Sequence, residues 1–148
     1  MQKLNFPDFD FKITKENNQI KIFDVVRNKY VVLTPEEWVR QHILQLFILE
    51  KKIPKGLIAV EKEIQYNGLV KRFDILVYTR AAQPFLMVGC KAPDVETLQS
   101  VFNQVAVYNK QYVADYIMVS NGIKHFICAY NKENKCYDFI KDFPVFEV

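Results

Sequence analysis

Apolar and polar residues alternate along the first part of the chain, as they do in strands with one buried face. Residues 9–15 and residues 20–26 both show this alternation. The polar stretch at residues 16–19 between them has the composition of a turn. An antiparallel β-hairpin is therefore predicted, and the apolar run at residues 30–33 can add another strand.

A helix is predicted next, because the spacing of apolar residues changes to three and four. Thr34 suits the N-cap, Pro35 suits the first helical position, and Glu37 is placed to close a capping box. A proline and a glycine at positions 54 and 56 end the segment. The helix is expected over residues 36–52.

Three strands are predicted after this helix, at residues 57–66, 69–79 and 84–90. Asn67-Gly68 joins the first two and is the strongest two-residue hairpin signal. The residues from Arg80 to Gln83 are expected to form a four-residue loop that pairs Thr79 with Pro84. The sequence thus predicts an antiparallel meander.

The last part of the chain begins with a second predicted helix, at residues 95–112. A strand follows at residues 115–120, and Asn121-Gly122 is interpreted as another two-residue turn. Its partner strand is predicted at residues 123–130, and a short final strand at 135–140.

This order of elements predicts a mixed α/β domain, with a central mixed sheet flanked by helices. The core order is α-β-β-β-α-β, preceded by the β-hairpin. A single domain is expected over residues 1–148, with a β extension at 1–33 and the core at 34–130.

Composition adds limits on function. The chain has 148 residues, of which 50% are hydrophobic and 25% charged, so a disordered chain is excluded. A net charge of +3 permits a nucleic-acid partner without requiring one. No apolar run approaches the roughly 20 residues that span a bilayer, and no signal peptide is evident. A cytoplasmic location without a membrane partner is expected, also because the three cysteines show no disulfide or zinc pattern.

The meander also predicts a cluster of charged side chains. Counting from the turns places Glu61 opposite Asp74 and Asp74 opposite Gly89, in one row across three strands. Lys91 lies on the same face, two residues beyond that row. Two neighbouring carboxylates can share a divalent cation, so Asp74 and Glu61 are candidate metal ligands.

At this point the sequence resembles a known family. Arg72-Phe73-Asp74-Ile75-Leu76-Val77 and Val88-Gly89-Cys90-Lys91-Ala92-Pro93 resemble the signature of the PD-(D/E)XK nucleases. More narrowly, they resemble the N-terminal nuclease domain of the R subunit of type I restriction enzymes. The helix start Thr34-Pro35-Glu36-Glu37-Trp38-Val39-Arg40-Gln41 and the pattern Phe102-x-Gln104-x-x-x-Tyr108 match as well. The resemblance covers residues 34–130.

The resemblance implies a role for each matching side chain. Glu37 would be a helix-borne acid that orients water or metal, and Asp74 would be the central metal ligand. Lys91 would polarise the attacking water and stabilise the charge of the transition state. Gln104 and Tyr108 would brace the site or touch the DNA backbone. The implied cofactor is Mg²⁺ or Mn²⁺, and the implied partners are DNA and other restriction-modification subunits.

One position departs from the family's motif. An acid normally stands two residues before the lysine, and this chain has Gly89, which offers no ligand. The register leaves Glu61 as a candidate replacement. The sequence therefore predicts an endonuclease-like hydrolase domain with impaired phosphodiester hydrolysis. Gly89→Glu is expected to restore metal-dependent cleavage.

Other interpretations of the same residues stay open. The alternative function is a non-catalytic DNA-binding or protein-interaction module that retains the nuclease fold, so enzyme activity is not decided. Asp74 could be a solvated carboxylate at a sheet edge, Glu37 a favourable charge at a helix N-terminus, and Tyr108 a core side chain. Cys90 is expected to point into the core.

Overall fold

The computed structural model of the protein describes residues 1–146. The strands lie in two sheets, one formed by the first three strands and one by the other six. In chain order the elements are β1 (Ile13–Glu16), β2 (Gln19–Asp24), β3 (Lys29–Val32), α1 (Pro35–Gln45), β4 (Ile58–Tyr66), β5 (Leu69–Tyr78), β6 (Pro84–Cys90), α2 (Gln99–Tyr112), β7 (Tyr116–Ser120), β8 (His125–Asn131) and β9 (Cys136–Ile140). The predicted α/β class and order of elements are confirmed, and the β extension contains three strands.

The six-stranded sheet is mixed, with the order β4-β5-β6-β7-β8-β9. All neighbouring strands in it are antiparallel except β6 and β7, which are parallel. A parallel pair needs a crossover connection, and helix α2 supplies it. Helices α1 and α2 pack on opposite faces of this sheet, as predicted.

Alternation along β5 explains why the sheet has a hydrophobic core on each face. Ile75 and Val77 belong to the core formed with Phe47 at the end of the first helical segment. Leu76, between them in sequence, belongs to the core formed with Val105 of α2. The strand is therefore buried on both sides from Ile75 to Val77, and Asp74 directly precedes this buried segment.

The central register agrees with the sequence prediction. The strand pairs on either side of position 61 align Glu61 with Asp74. The pair Ile75–Val88 places Asp74 beside Gly89 at the next position. The predicted row of residues 61, 74 and 89 across three neighbouring strands is confirmed. Asn67-Gly68 also forms the predicted turn, with φ angles of 50° and 75°.

The loop after β5 differs from the prediction. Tyr78, rather than Thr79, pairs with Pro84, because the register shifts between Val77 and Tyr78. The backbone of Thr79 closes a turn with residues 82 and 83. This shift lies beyond Val77, so it leaves the register at Asp74 unchanged.

The turn after β7 is also longer than predicted. Ser120 pairs with His125, so four residues connect the strands rather than Asn121-Gly122 alone. The side-chain oxygen of Asn121 accepts hydrogen bonds from the backbone N–H groups of residues 123 and 124. An asparagine that binds its own loop in this way stabilises the longer turn.

Both predicted helices are shorter than expected. Helix α2 begins at Gln99 rather than at residue 95, and in the segment before it the carbonyl of Val95 accepts a hydrogen bond from the Asn121 side chain at 2.7 Å. Helix α1 ends at Gln45 and continues as a π-helical turn, Leu46–Glu50. No helix within residues 1–146 combines the length and the apolar composition needed to cross a membrane.

Candidate functional site

A small pocket of about 180 Å³ opens between β5, β6 and α2. Four side chains singled out from the sequence meet there, namely Asp74, Lys91, Gln104 and Tyr108, and Glu36 completes the rim. The Nε2 of Gln104 donates a 3.0 Å hydrogen bond to the Oη of Tyr108, one turn along α2. The structure therefore brings together most of the predicted site.

Asp74 is held from two directions. Its Oδ1 accepts a 2.7 Å hydrogen bond from Nη2 of Arg40, and its Oδ2 accepts one of 2.7 Å from the backbone N–H of Cys90. Cys90 itself points into the core, as predicted. The interpretation of Asp74 as a solvated edge carboxylate is thus excluded.

Arg40 of α1 lies at the centre of a larger carboxylate cluster. The Nη2 atom that binds Asp74 also lies 3.2 Å from Oε1 of Glu61 and 3.5 Å from Oε1 of Glu36. Nη1 donates to Oε1 of Glu37 at 2.7 Å. Burial favours a lower pKa for Arg40, but Asp74 and the neighbouring acids outweigh it and raise the pKa. Arg40 is therefore a permanently charged cation between carboxylates.

Glu37 lies behind the pocket rather than in it. Its backbone N–H donates to the hydroxyl of Thr34 at 3.0 Å, so the predicted N-cap is confirmed. Its carboxylate does not close the predicted capping box, because it binds Arg27 at 3.0 Å and Gln41 at 3.0 Å instead. Glu36 takes the place at the pocket rim that was expected for Glu37.

The β extension contributes directly to this cluster. Arg27, in the turn between β2 and β3, binds Asp24 at 2.8 Å and approaches Oε2 of Glu61 at 3.5 Å. Burial acts to raise the pKa of Asp24, but hydrogen bonds from Arg27 and Gln41 overcome this effect and lower it. The extension is therefore fixed to the site through charged side chains.

Gly89 faces helix α2. A Cβ atom at this position would lie 2.8 Å from a methyl carbon of Val101 and 2.8 Å from one of Val105. Cβ atoms do not approach other carbons this closely, so α2 packs against the bare backbone of β6. An acid at position 89 would require both valines to move. This steric obstacle opposes the cleavage expected from Gly89→Glu, and it is not visible in the sequence.

The chain matches the family described as type I restriction enzyme R protein N terminus (HSDR_N) over residues 35–144. The chain belongs to this family. Comparison with curated proteins yields no match. The family match begins at α1 and includes the whole pocket, whereas the β extension that carries Asp24 and Arg27 lies before it. The resemblance stated from the motifs is confirmed, and the mixed sheet between two helices fits a restriction-endonuclease-like fold.

The donors of this R-protein N-terminal domain do not fit the divalent cation that the resemblance implies. Gly89 supplies no oxygen, and oxygens of Asp74, Glu61 and Glu36 all lie within 3.5 Å of one nitrogen of Arg40. A divalent cation would have to compete with that guanidinium for the same oxygens, and the charge of the guanidinium would oppose it. Within residues 1–146, no group of three or more His, Cys, Asp or Glu side chains is arranged so that it could hold a metal ion. The predicted Mg²⁺ or Mn²⁺ site stays a prediction.

The charge of the pocket also bears on its ligands. The ammonium of Lys91 makes no ion pair within the described residues, and its charge, like that of Arg40, acts to lower the pKa of Glu36. Burial and the charge of Asp74 outweigh this effect, so the pKa of Glu36 is raised. The cluster as a whole contains five carboxylates and three cations, namely Asp24, Glu36, Glu37, Glu61 and Asp74 against Arg27, Arg40 and Lys91. A phosphate group is therefore not favoured here.

Sequence reasoning missed the two arginines that organise the site. Arg40 stands three residues after Glu37, a spacing that brings side chains together on a helix, and this was an available signal. Arg27 gave none for its contacts with Glu37 and Glu61, because these cross from a turn in one sheet to α1 and β4. The catalytic roles expected for Glu37, Asp74, Lys91, Gln104 and Tyr108 stay predictions.

Proposed function

We propose that this R-protein N-terminal domain binds DNA without hydrolysing it. The observation that carries the proposal is the position of Arg40, whose Nη2 lies 2.7 Å from Asp74 and 3.2 Å from Glu61. The carboxylates expected to face a metal ion face a guanidinium. Beside them, Gly89 supplies no ligand and has no space for one.

Arg40 balances the charge of the carboxylates but cannot replace the chemistry. Metal ions promote phosphodiester hydrolysis by activating water and by neutralising the developing charge. A guanidinium donates hydrogen bonds and stays protonated, so it cannot generate a nucleophile from water. The residues of the pocket therefore fit a domain that keeps the nuclease fold without cleaving DNA better than they fit a catalytic domain.

DNA remains the partner that best fits the family and the overall charge. Type I restriction enzymes act in restriction-modification, and the net charge of +3 is compatible with contact to phosphates. Since carboxylates predominate at the pocket, the DNA contact lies elsewhere on the surface. We place the protein in the cytoplasm, in association with other restriction-modification subunits.

The direct test combines a binding and a cleavage assay on the full chain. We expect fluorescence anisotropy to detect DNA binding in EDTA, unchanged by Mg²⁺, and supercoiled plasmid to stay intact in Mg²⁺ or Mn²⁺. Asp74→Asn should leave DNA affinity unchanged, as should Asp115→Asn, a matched control for an exposed carboxylate bound to Lys132. Plasmid cleavage that Asp74→Asn abolishes would overturn the proposal, and so would a failure to bind DNA.

The motif position provides a second test. Gly89→Glu alone should give no cleavage, because Val101 and Val105 block the side chain and Arg40 stays in place. Removing the steric obstacle with Val101→Ala and Val105→Ala should still give none. Metal-dependent cleavage by Gly89→Glu alone would show that Arg40 does not prevent a cation from binding.

A further inference from the structure

A second cleft lies on a different side of helix α2 from the pocket, and its walls are aromatic. It has a volume of about 320 Å³ and lies between the start of α2 and strands β7, β8 and β9. Its apolar walls are Phe102, Phe126 and Phe139, with Leu98 and Val119 between them. Phe139 is 73% exposed and Phe126 is 43% exposed. Aromatic rings left this open on the surface often mark a binding site.

The exposed ring of Phe139 offers a surface on which a flat group can stack. Phe102 and Phe139 are nearly parallel, with ring centroids 6.5 Å apart and an interplanar angle of 29°. This distance is within the range of direct aromatic pairs, so a ligand would stack on the solvent side of Phe139 rather than between the two rings. Phe126 meets Phe139 at 69° and closes one end of the cleft.

Basic side chains lie in the aromatic cleft and in the cleft next to it. Lys124 lines it directly. Phe126 and Phe139 also border a neighbouring cleft of about 650 Å³, which is lined by Lys51 and Lys141 and by no carboxylate. Glu96 is the acid that lines the aromatic cleft, beside the polar side chains of Thr97 and Gln99. Three lysines against one carboxylate favour an anionic ligand, in contrast to the pocket at Asp74.

We infer that the aromatic cleft binds an unpaired base of single-stranded DNA, with the adjoining phosphates on Lys124, Lys141 and Lys51. This deepens the proposed DNA-binding function by giving it a place and a strand type. Base stacking on aromatic side chains next to a basic surface is the general mode of single-strand binding. Gln99 and Glu96 at the rim can bond base edges, as amides and carboxylates do elsewhere. An apolar protein segment would not need the lysines.

The test uses a labelled oligothymidine of about 12 nucleotides, within the site size of a small single-strand binding domain. We expect the single strand to bind more tightly than a duplex of equal length. Phe139→Ala should weaken binding by about 5- to 100-fold, whereas Phe139→Trp should preserve it. Leu69→Ala, which removes an exposed apolar side chain of β5, four strands away from β9 in the sheet, is the matched control and should have no effect.

Two further readouts separate stacking from charge. An oligonucleotide that contains 2-aminopurine should lose fluorescence on binding to the native chain and keep it with Phe139→Ala. Lys124→Ala should reduce the salt dependence by about 0.7 in the log–log slope, which corresponds to one single-strand phosphate contact.

Three outcomes would overturn the inference. The first is equal binding of duplex and single strand with no effect of Phe139→Ala, which would leave DNA binding standing at another surface. The second is competition by thymidine monophosphate as strong as that by the oligonucleotide, which would identify a nucleotide pocket instead. The third is the absence of all DNA binding, which would remove the proposed function as well.

Discussion

The two sides of helix α2 present opposite chemistry to solvent. On one side, at Asp74, charged groups bind one another so closely that both carboxylate oxygens already have partners at 2.7 Å. On the other side, at Phe139, an aromatic ring is largely exposed beside lysines. In the first region the carboxylate is bound from within the chain, whereas in the second Phe139 contacts Phe102 and Phe126 but keeps most of its surface in solvent.

This difference distinguishes the pocket that carries the nuclease motif from the surface that is available to a ligand. A nuclease site needs carboxylates that are free to bind a cation, and here Arg27 and Arg40 have bound them. The cluster therefore acts chiefly on stability, because it fixes the β extension and α1 to the central strands. The aromatic cleft should contribute little to stability, since Phe139 buries little area.

The largest expected effect is on stability, from Arg40→Met. It leaves Glu37 and Asp74 without their shared cation, and breaking a buried ion pair in this way costs about 3 to 5 kcal/mol. The measurement is urea unfolding at neutral pH. Lys132→Met, which breaks the exposed pair with Asp115, is the control and should cost less than about 1 kcal/mol. Equal effects of the two substitutions would contradict the special role of Arg40.

Asp24→Asn should destabilise the chain by about 2 kcal/mol at neutral pH, because the fully buried carboxylate accepts charged hydrogen bonds from Arg27. The pKa of Asp24 is lower in the folded chain than its ordinary value of 3.8. Its contribution is therefore present above pH 3.8 and is lost as the pH falls through the folded pKa. Urea unfolding of the native protein and of Asp24→Asn between pH 7 and acid pH should show that the difference in their free energies of unfolding shrinks below pH 3.8. A difference that is constant with pH would mean that charge is not its source.

Gly89→Ala should destabilise the chain by about 1 to 2 kcal/mol, because its Cβ meets Val101 and Val105 at 2.8 Å. Thermal unfolding measures the effect, and Val105→Ala in the same chain should reduce the cost of the added methyl group. Gly56→Ala is the matched control, since a Cβ there meets nothing within 4 Å. An unchanged melting temperature for Gly89→Ala would show that α2 yields easily and that an acid could enter.

Phe139→Ala should have the smallest effect on stability, about 0.5 kcal/mol or less, because the side chain is mostly in solvent. Differential scanning fluorimetry on the variant checks this. A marked loss of stability would show that the ring is part of the core and would weaken its assignment to a ligand.

Local signals in the sequence were sufficient to predict the strands and the register around Asp74, but not the pairing at the end of β5 or the turn after β7. Asn67-Gly68 fixed the hairpin, and its φ angles leave one register for Glu61 and Asp74. The errors lie at the loops and helix ends. The register shifts at Tyr78, and the Asn121 side chain binds its own four-residue loop as well as the carbonyl of Val95, 26 residues away in sequence and just before α2.

The candidate site was predictable only as a set of positions. Asp74, Lys91, Gln104 and Tyr108 meet as the motifs implied. What the side chains bind there depends on Arg27, which reaches the cluster from another sheet, and no pattern in a single sequence reports such a contact. The close packing of α2 against Gly89 likewise depends on how the helix lies on the strand, and the spacing of the motif residues does not predict this.

Calorimetric titration of the full chain with Mn²⁺ tests most directly whether Arg40 has taken the place of a metal ion. If it has, no saturable binding should be measured up to about 1 mM Mn²⁺, and Asp74→Asn should give the same trace. Saturable binding to the native chain that Asp74→Asn removes would show that the carboxylates still hold a cation beside Arg40.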